Sequence, residues 1–153
     1  MRLHLIWPGK TKNAHLKALT DDYLKRLSHF ARCEVSELRT ATGAEGRTGI
    51  DKESQRISDA LSNDDVSVLL DPAGKHWSSE ELAEQVQEWE NRGVKSVGFV
   101  IGGPDGVSNA LALQVHKRWS LSRLTLTHEM ARVLLVEQLY RAYAIINRLP
   151  YVK

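Results

Sequence analysis

The sequence predicts an α/β fold in which a mainly parallel sheet is covered by helices on both faces. Short apolar segments alternate along the chain with longer segments of helical periodicity, a pattern typical of parallel strands joined by crossover helices. Two of the most apolar segments end at Asp71 and at Gly102, which places both residues at the carboxyl edge of the sheet, where such folds bind ligands. No linker divides the chain, so residues 1–153 are predicted to form a single domain.

The first half of the chain is predicted to contain three strands and two helices. The strands are Leu3–Trp7, Val35–Leu38 and Val66–Asp71, the last of them stopped by Pro72. The helices run from Asn13, the predicted N-cap, to about Ala31 and over Asp51–Leu61. The Gly-containing segment Thr40–Gly49 lacks periodicity. It is predicted to be a mobile loop, either a substrate lid or an ordinary surface loop.

The second half continues the alternation of helices and strands. Ser78-Ser79-Glu80-Glu81 fits a capping box, in which a hydroxyl and the Glu three residues later satisfy free helix N–H groups. The helix it opens is predicted to end near Arg92, before Gly93. A strand over Val97–Ile101, a helix from Asn109 to about Lys117 and a last helix opened by Thr127 and His128 follow.

Cysteine usage and hydropathy indicate a soluble, cytoplasmic protein without a membrane partner. The single cysteine, Cys33, excludes an intramolecular disulfide and is expected to be an inert thiol in a reducing compartment. No apolar run approaches the roughly 18 residues of a membrane span. The six His residues lack carboxylates or Cys at ligand spacing, so no metal site is predicted.

Charge is distributed unevenly along the chain. Residues 1–106 contain 14 Lys and Arg against 17 Asp and Glu, whereas residues 107–153 contain 7 against 2. A basic C-terminal third suits a phosphate-bearing partner such as a nucleic acid. The alternative is a solvated helix face.

The turn Gly102-Gly103-Pro104-Asp105-Gly106 follows an apolar strand and precedes a helix. Glycines there allow the backbone to approach a ligand closely and to present free N–H groups. The spacing matches neither the dinucleotide-binding nor the P-loop motif. The turn predicts a small-molecule site, with a bare turn as the alternative. Asp71, at the neighbouring strand, either binds a ribose hydroxyl or caps its own turn.

The last predicted helix carries polar residues in unusual places. His128 is a site candidate, or it merely opens the helix together with Glu129. Arg132 lies in the middle of the apolar stripe, near the positive end of the helix, so it requires an anion, an acidic partner or a structural salt bridge. Glu137 and Arg141 have the spacing of a surface ion pair. Because the helix is apolar on more than one side, it is either central in the fold or buried in a subunit interface.

Three segments in order carry a family resemblance, which spans the whole chain. They are Ile101-Gly102-Gly103-Pro104-Asp105-Gly106, Leu121-Ser122-Arg123-Leu124-Thr125 and Glu137-Gln138-Leu139-Tyr140-Arg141-Ala142. With them, the chain resembles the small SPOUT methyltransferases of the ribosomal RNA large subunit methyltransferase H family.

The resemblance implies an α/β fold whose C-terminal part forms a SPOUT-type trefoil knot, an exception to unknotted topology. It also implies a homodimer and S-adenosyl-L-methionine as the methyl donor. The implied acceptor is N3 of a pseudouridine in helix 69 of 23S rRNA, on the assembled ribosome.

The family pattern also assigns roles to individual residues. The donor is expected to contact Leu70, Gly102, Leu121, Ser122, Arg123, Leu124, Thr125 and Leu126. The candidate catalytic residues are His128, Arg132 and Tyr151, and the candidate RNA-binding residues are Arg141 and Lys153.

The C-terminal tail departs from the family pattern. The chain ends Pro150-Tyr151-Val152-Lys153, where members of the resembling family usually have His in place of Val152. Two hypotheses follow. The protein is an active methyltransferase in which another group, such as His128, replaces that His, or it is a non-catalytic ribosome-binding factor that has kept the fold.

Overall fold

The computed structural model of the chain describes residues 1–41 and 46–151. Its strands are β1 (Arg2–Pro8), β2 (Arg32–Leu38), β3 (Val66–His76), β4 (Ser96–Ile101) and β5 (Lys117–Ser120). Its helices are α1 (Ala14–Leu27), α2 (Gly46–Leu61), α3 (Ser79–Asn91), α4 (Asn109–Gln114) and α5 (His128–Ile146). Within the described residues the strands form one parallel sheet in the order β2-β1-β4-β3-β5. The predicted α/β fold is confirmed.

Helices cover both faces of the sheet, as the sequence predicts. Alternate side chains of β1 point to opposite faces: Leu5 joins the core beneath α1, α3 and α5, whereas Ile6 joins Ile57 and Leu61 of α2 and Leu111 of α4. These residues are almost fully buried. The sheet is thus apolar on both sides, which is typical of parallel strands.

The predicted helix starts are confirmed by their hydrogen bonds. The Asn13 side chain accepts from the amides of His15 and Leu16. The Ser78 hydroxyl accepts from the Glu81 amide, and the Glu81 carboxylate accepts from the Ser78 amide, which completes the capping box. Thr127 caps α5, so His128 is the first residue of that helix.

Two boundaries after β3 differ from the prediction. Pro72 does not stop β3, because the strand continues past an irregularity between Leu70 and Lys75 and pairs with β5 on both sides of it. The helix predicted to reach Lys117 ends at Gln114, and β5 begins at Lys117. Only four residues long, β5 owes its strand conformation to pairing with a distant segment, which local periodicity does not report.

The loop predicted over Thr40–Gly49 is wrong for its second half. Residues 46–49 belong to α2, which therefore starts earlier than the predicted Asp51, while residues 42–45 lie outside the described residues. Packing of Ile57 and Leu61 onto the sheet stabilises α2 and overrides the low helix propensity of its glycines.

Helix α5 packs centrally within its own chain. It packs against α1 and α3 within its own chain, and buries Leu135, Val136, Leu139 and Ala142 completely. Met130 and Ile145 of the same helix remain 39% exposed, so a subunit interface at α5 stays a prediction. In the part of the chain that the structure describes, neither α5 nor any other helix has the length and hydropathy to cross a bilayer.

At the amino edge of the sheet, a buried polar network joins β1, β2 and the turn before β3. The Asp64 side chain is fully buried and accepts from Arg2 at 2.9 Å, and one of its oxygens lies 2.7 Å from His4 Nδ1. The other ring nitrogen of His4 lies 2.7 Å from the Ser36 hydroxyl. This network fixes the end of the sheet opposite the candidate site.

Replacing Asp64 by alanine is expected to lower the free energy of unfolding by about 3 kcal/mol, because it removes the buried partner of a His4 ring nitrogen and one of the two carboxylates that pair with Arg2, the other being Glu34. Urea denaturation measures the change. The matched control is Asp21→Ala, which removes an exposed pair with Lys17 and is expected to cost less than about 1 kcal/mol. Equal losses in the two variants would contradict a structural role for the network.

Candidate functional site

A cleft of about 430 Å³ opens at the carboxyl edge of β3 and β4. We call it the first cleft. One wall is the end of β3 with Leu70 and Asp71, the second is the glycine turn after β4, and the third is the segment between β5 and α5. Six of the eight predicted donor-binding residues line it: Leu70, Gly102, Leu121, Ser122, Leu124 and Leu126.

The glycine turn is tight, and a side chain at Gly102 or Gly103 would meet neighbouring atoms. The Gly106 amide donates to the Gly103 carbonyl at 3.0 Å, and Gly106 has a φ of 81°, in the left-handed region that favours glycine. A Cβ on Gly102 would lie 2.9 Å from a methyl group of Val107, which also lines the first cleft. The prediction that the turn forms a small-molecule site is thus consistent with the cleft built around its backbone.

Segment 121–126 forms its own compact turn at the mouth of the cleft. The Ser120 hydroxyl donates to the Ser122 carbonyl, and the Ser122 hydroxyl accepts from the Leu124 amide. Leu124 is 73% exposed although it lines the cleft. Arg123 and Thr125, the other two predicted donor contacts, are exposed and do not line the cleft.

Asp71 has the capping role that the sequence allowed. Its Oδ1 accepts from the Ala73 amide at 2.9 Å, and its Oδ2 lies 3.7 Å from a guanidinium nitrogen of Arg118. Both side chains line the first cleft. Asp71 therefore caps its turn and at the same time presents negative charge to a ligand.

A second cleft of about 510 Å³ adjoins the first. His128 and Pro104 line both clefts and form the boundary between them. The second cleft is lined by Pro8, Gly9, Lys10, Lys12, Thr40, Ala41, Gly49, Ile50, Glu53, Pro104, Asp105, His128 and Glu129. Of the predicted catalytic residues, His128 is the one that the structure places at this junction.

Glu129 links α5 to the start of α1. Its carboxylate accepts from the backbone amides of Lys12 and Asn13, at 3.2 and 3.0 Å. These hydrogen bonds hold the pKa of the Glu129 carboxyl below its ordinary value. The group is therefore an anchor for the loop before α1 and a poor proton acceptor.

Arg132 is buried rather than on an RNA-facing surface. It is 1% exposed, donates to the Pro8 carbonyl at 2.7 Å and to the Thr11 hydroxyl at 2.9 Å, and its guanidinium lies 4.9 Å from the centre of the Trp7 ring. Burial lowers the pKa of the guanidinium from its usual value. Within its own chain Arg132 positions the loop after β1, and its predicted catalytic contact stays a prediction.

Tyr151 and Arg141 lie together, away from both clefts. Arg141 pairs with Glu137 at 2.6 Å, as the spacing alternative predicted, and lies 4.5 Å from the centre of the Tyr151 ring. The Tyr151 hydroxyl lies 3.0 Å from the Glu137 carboxylate and 3.0 Å from the Tyr23 hydroxyl. Glu137 is more than two helical turns from His128, about 13 Å along α5. The single chain thus does not bring Tyr151 to the clefts, and Lys153 lies outside the described residues.

Three polar residues of the second cleft were not predicted to be functional from the sequence. Lys10, Lys12 and Glu53 come from the loop before α1 and from α2, which are distant in sequence from the glycine turn. Gly9 has a positive φ of 75°, and a glycine there allows the sharp bend that brings the two lysines to the cleft. Among the described residues, no group of three His, Cys, Asp or Glu could hold a metal ion.

Comparison with known proteins identifies relatives over the full chain. The family described as predicted SPOUT methyltransferase matches residues 1–151. The ribosomal RNA large subunit methyltransferase H of Geobacter sp. (strain M21) is 38% identical over 151 residues, covering 99% of this chain and 98% of the relative. The protein of the same name from Desulfotalea psychrophila is 40% identical over 145 residues, covering 95% of each chain.

Solved structures share the fold at low sequence identity. A probable methyltransferase from Bordetella pertussis Tohama I has a TM-score of 0.60 and 15% identity, and the match covers 92% of this chain and 95% of that one. A probable methylase family protein from Haemophilus influenzae Rd KW20 has a TM-score of 0.63 and 14% identity, with 99% of this chain and 70% of that chain covered.

Proposed function

Because this chain belongs to the SPOUT methyltransferase family, we propose that it transfers a methyl group from S-adenosylmethionine to ribosomal RNA of the large subunit. More finely, we propose that the acceptor is N3 of a pseudouridine in helix 69 of 23S rRNA, in the assembled ribosome of the cytoplasm. The observation that carries the proposal is the first cleft, which six residues of the family's donor pattern line together.

The first cleft fits the donor in size and chemistry. Its volume lies within the range of small-molecule sites. Apolar walls from Leu70, Ile101 and Leu121 suit a flat adenine ring, and the glycine turn exposes backbone groups for its polar edge. Asp71 and Arg118 add a carboxylate and a guanidinium to the same cleft, which suits a donor that carries both positive and negative charge.

Bound S-adenosylmethionine supplies a methyl group that its sulfonium has already activated. The protein's own contribution is then to align the acceptor nitrogen and to remove its proton, and positioning alone supplies much of such a rate. His128, at the boundary of the two clefts, is our candidate to accept the N3 proton. The Tyr151 hydroxyl is unsuited to that role, because partial burial and its hydrogen bonds with Tyr23 and Glu137 raise its pKa.

We further propose that the protein acts as a homodimer. Two observations support the homodimer. Leu124 is 73% exposed at the mouth of the first cleft, and Tyr151 lies away from the clefts of its own chain. A second copy packed over the cleft mouth would cover Leu124 and bring its tail, which we define as Tyr151, Val152 and Lys153, to the neighbouring site.

Light scattering at micromolar concentration is expected to give a mass twice that of the 17.2 kDa chain. Leu124→Asp places a charge on the proposed contact and is expected to shift the mass towards the monomer. Leu113→Asp is the matched control, since Leu113 is 82% exposed on α4 and is not among the residues lining the first cleft. A stable monomeric mass for the unaltered protein would contradict the dimer.

The proposed activity is tested by incubating ribosomes from cells that lack the modification with S-adenosylmethionine labelled in its methyl group. We expect label in 23S rRNA and none in 16S rRNA or ribosomal proteins. Calorimetric titration with unlabelled donor should show binding to the protein alone. Failure of both measurements would remove the methyltransferase assignment.

A further inference from the structure

The second cleft combines lysines with carboxylates, a composition that suits a nucleotide. Lys10 and Lys12 are exposed on the loop after β1, Asp105 is exposed on the glycine turn, and Glu53 of α2 is half-buried. Exposed lysines suit a phosphate. The half-buried Glu53 carboxylate suits an N–H donor of a heterocycle.

Two side chains of α5 hold the loop that carries Lys10 and Lys12 in place. Buried Arg132 binds the Pro8 carbonyl and the Thr11 hydroxyl. The Glu129 carboxylate binds the next two amides, those of Lys12 and Asn13. Contacts on both sides of the bend therefore fix this wall of the cleft before any ligand enters, which reduces the entropic cost of binding.

Glu53 lies where the second cleft meets the glycine turn. Its Oε2 accepts from the Ala41 amide at 2.9 Å, which orients the carboxylate. A Cβ on Gly103 would lie 2.7 Å from Glu53 Oε1, so the absence of a side chain at Gly103 makes room for this carboxylate. Gly103 lines the first cleft as well. The Glu53 carboxylate is thus close to the boundary between the two clefts, across which the methyl group would be transferred.

A pseudouridine differs from a uridine by one hydrogen-bond donor. Its base is joined to the ribose through carbon, so N1 carries a proton in addition to the proton on N3. A fixed carboxylate is an acceptor without a donor, and it discriminates strongly between a ligand that supplies an N–H and one that does not.

We propose that the second cleft receives the acceptor nucleoside, flipped out of its RNA helix, and that Glu53 accepts the N1–H hydrogen bond that distinguishes pseudouridine from uridine. Lys10 and Lys12 bind the adjoining phosphate. This inference rests on the proposed function and adds to it the residue that selects the base. Extrusion of the base is the usual way in which an enzyme reaches a nucleotide within a stem.

Glu53→Gln tests the selection. The amide oxygen can keep the hydrogen bond with Ala41, which leaves the NH₂ group, a donor, to face the N1–H. The probes are two preparations of ribosomes, with pseudouridine or with uridine in helix 69. For the unaltered protein we expect a higher kcat/KM with pseudouridine, and for Glu53→Gln we expect that preference to fall about tenfold or more, because a hydrogen bond to a charged group is lost.

The matched control is Glu84→Gln, which changes an exposed carboxylate on α3 and is expected to leave the preference unchanged. Thermal melting and calorimetric donor affinity show whether Glu53→Gln still folds and binds the donor. An unchanged preference in a folded Glu53→Gln variant would overturn the role of Glu53. Absence of methylation by the unaltered protein would instead overturn the proposed function.

A second pair of variants tests whether RNA binds at the second cleft and leaves Glu53 unchanged. Lys10→Ala/Lys12→Ala is expected to raise KM for ribosomes several-fold and to weaken its salt dependence, with unchanged donor affinity. Lys25→Ala/Lys95→Ala removes the same charge from exposed positions at the opposite edge of the sheet. Equal effects of the two pairs on KM would contradict binding of RNA at the second cleft.

Discussion

Gly102→Val is expected to abolish binding of S-adenosylmethionine, and with it methyl transfer. A Cβ at this position would already lie 2.9 Å from a Val107 methyl group, and the two further methyl groups of valine add volume beside the first cleft, which Gly102 lines. The added volume therefore competes with the donor at the point where the backbone must approach it. Isothermal titration of the purified variant measures the loss directly, and we expect a fall in affinity of at least a hundredfold.

The effect on the fold is expected to be much smaller. Gly102 does not have a positive φ, so its backbone conformation is open to other residues, and Val107 is only half-buried. Ala110→Val adds the same branched side chain to an exposed position of α4 and serves as the control for both stability and donor binding. Near-native donor affinity in a folded Gly102→Val variant would remove Gly102 from the site.

Deletion of the tail is expected to suppress methylation with little change in donor affinity. Tyr151 does not line the first cleft of its own chain, so its loss leaves the donor walls intact. In the proposed dimer, its ring would stack on the acceptor base in the partner's site. The measurement is methyl incorporation into ribosomes by the protein lacking residues 151–153, beside calorimetric titration of the donor. Unchanged turnover would show that the tail is dispensable.

Mixing two inactive variants shows whether the tail serves the cleft of its own chain or the cleft of the partner subunit. A mixed dimer of Gly102→Val and the tail-deleted chain contains one complete site only if the intact tail serves the neighbouring cleft. Activity is then expected to return to about a quarter of the unaltered level, given random exchange of subunits and one active site in each mixed dimer. No recovery after demonstrated exchange would contradict a tail that acts across the interface.

The sequence predicted correctly those element boundaries that depend on interactions between neighbouring residues. Asn13, Ser78 and Thr127 were recognised as helix starts because a cap is defined by a side chain and amides a few residues away. The strand at Lys117–Ser120 and the passage of β3 beyond Pro72 were missed, because both depend on pairing between segments nearly fifty residues apart. The start of α2 was also missed, because the packing that stabilises this helix involves Ile57 and Leu61 and distant strands of the sheet.

In the candidate site, too, the local motifs were predicted and the contributions of distant segments were missed. The glycine turn and segment 121–126 were predicted from motifs and meet in one cleft. Arg132 was singled out as an unusual charge in an apolar stripe, but the sequence could not show that its guanidinium would bind the Pro8 carbonyl and lie over the Trp7 ring. Glu53 belonged to no motif, and only the fold brings it beside His128.

Mass spectrometry of helix 69 detects the proposed methylation of a single nucleotide. Ribosomes that carry an unmethylated pseudouridine there are incubated with the protein and S-adenosylmethionine, and the excised RNA fragment is sequenced by its fragment masses. We expect a gain of one methyl group on N3 of a pseudouridine, absent when Gly102→Val replaces the unaltered protein. A helix 69 of unchanged mass, with the protein bound to the ribosome, would rule out the proposed methyl transfer and favour a ribosome-binding factor that has kept the fold without the activity.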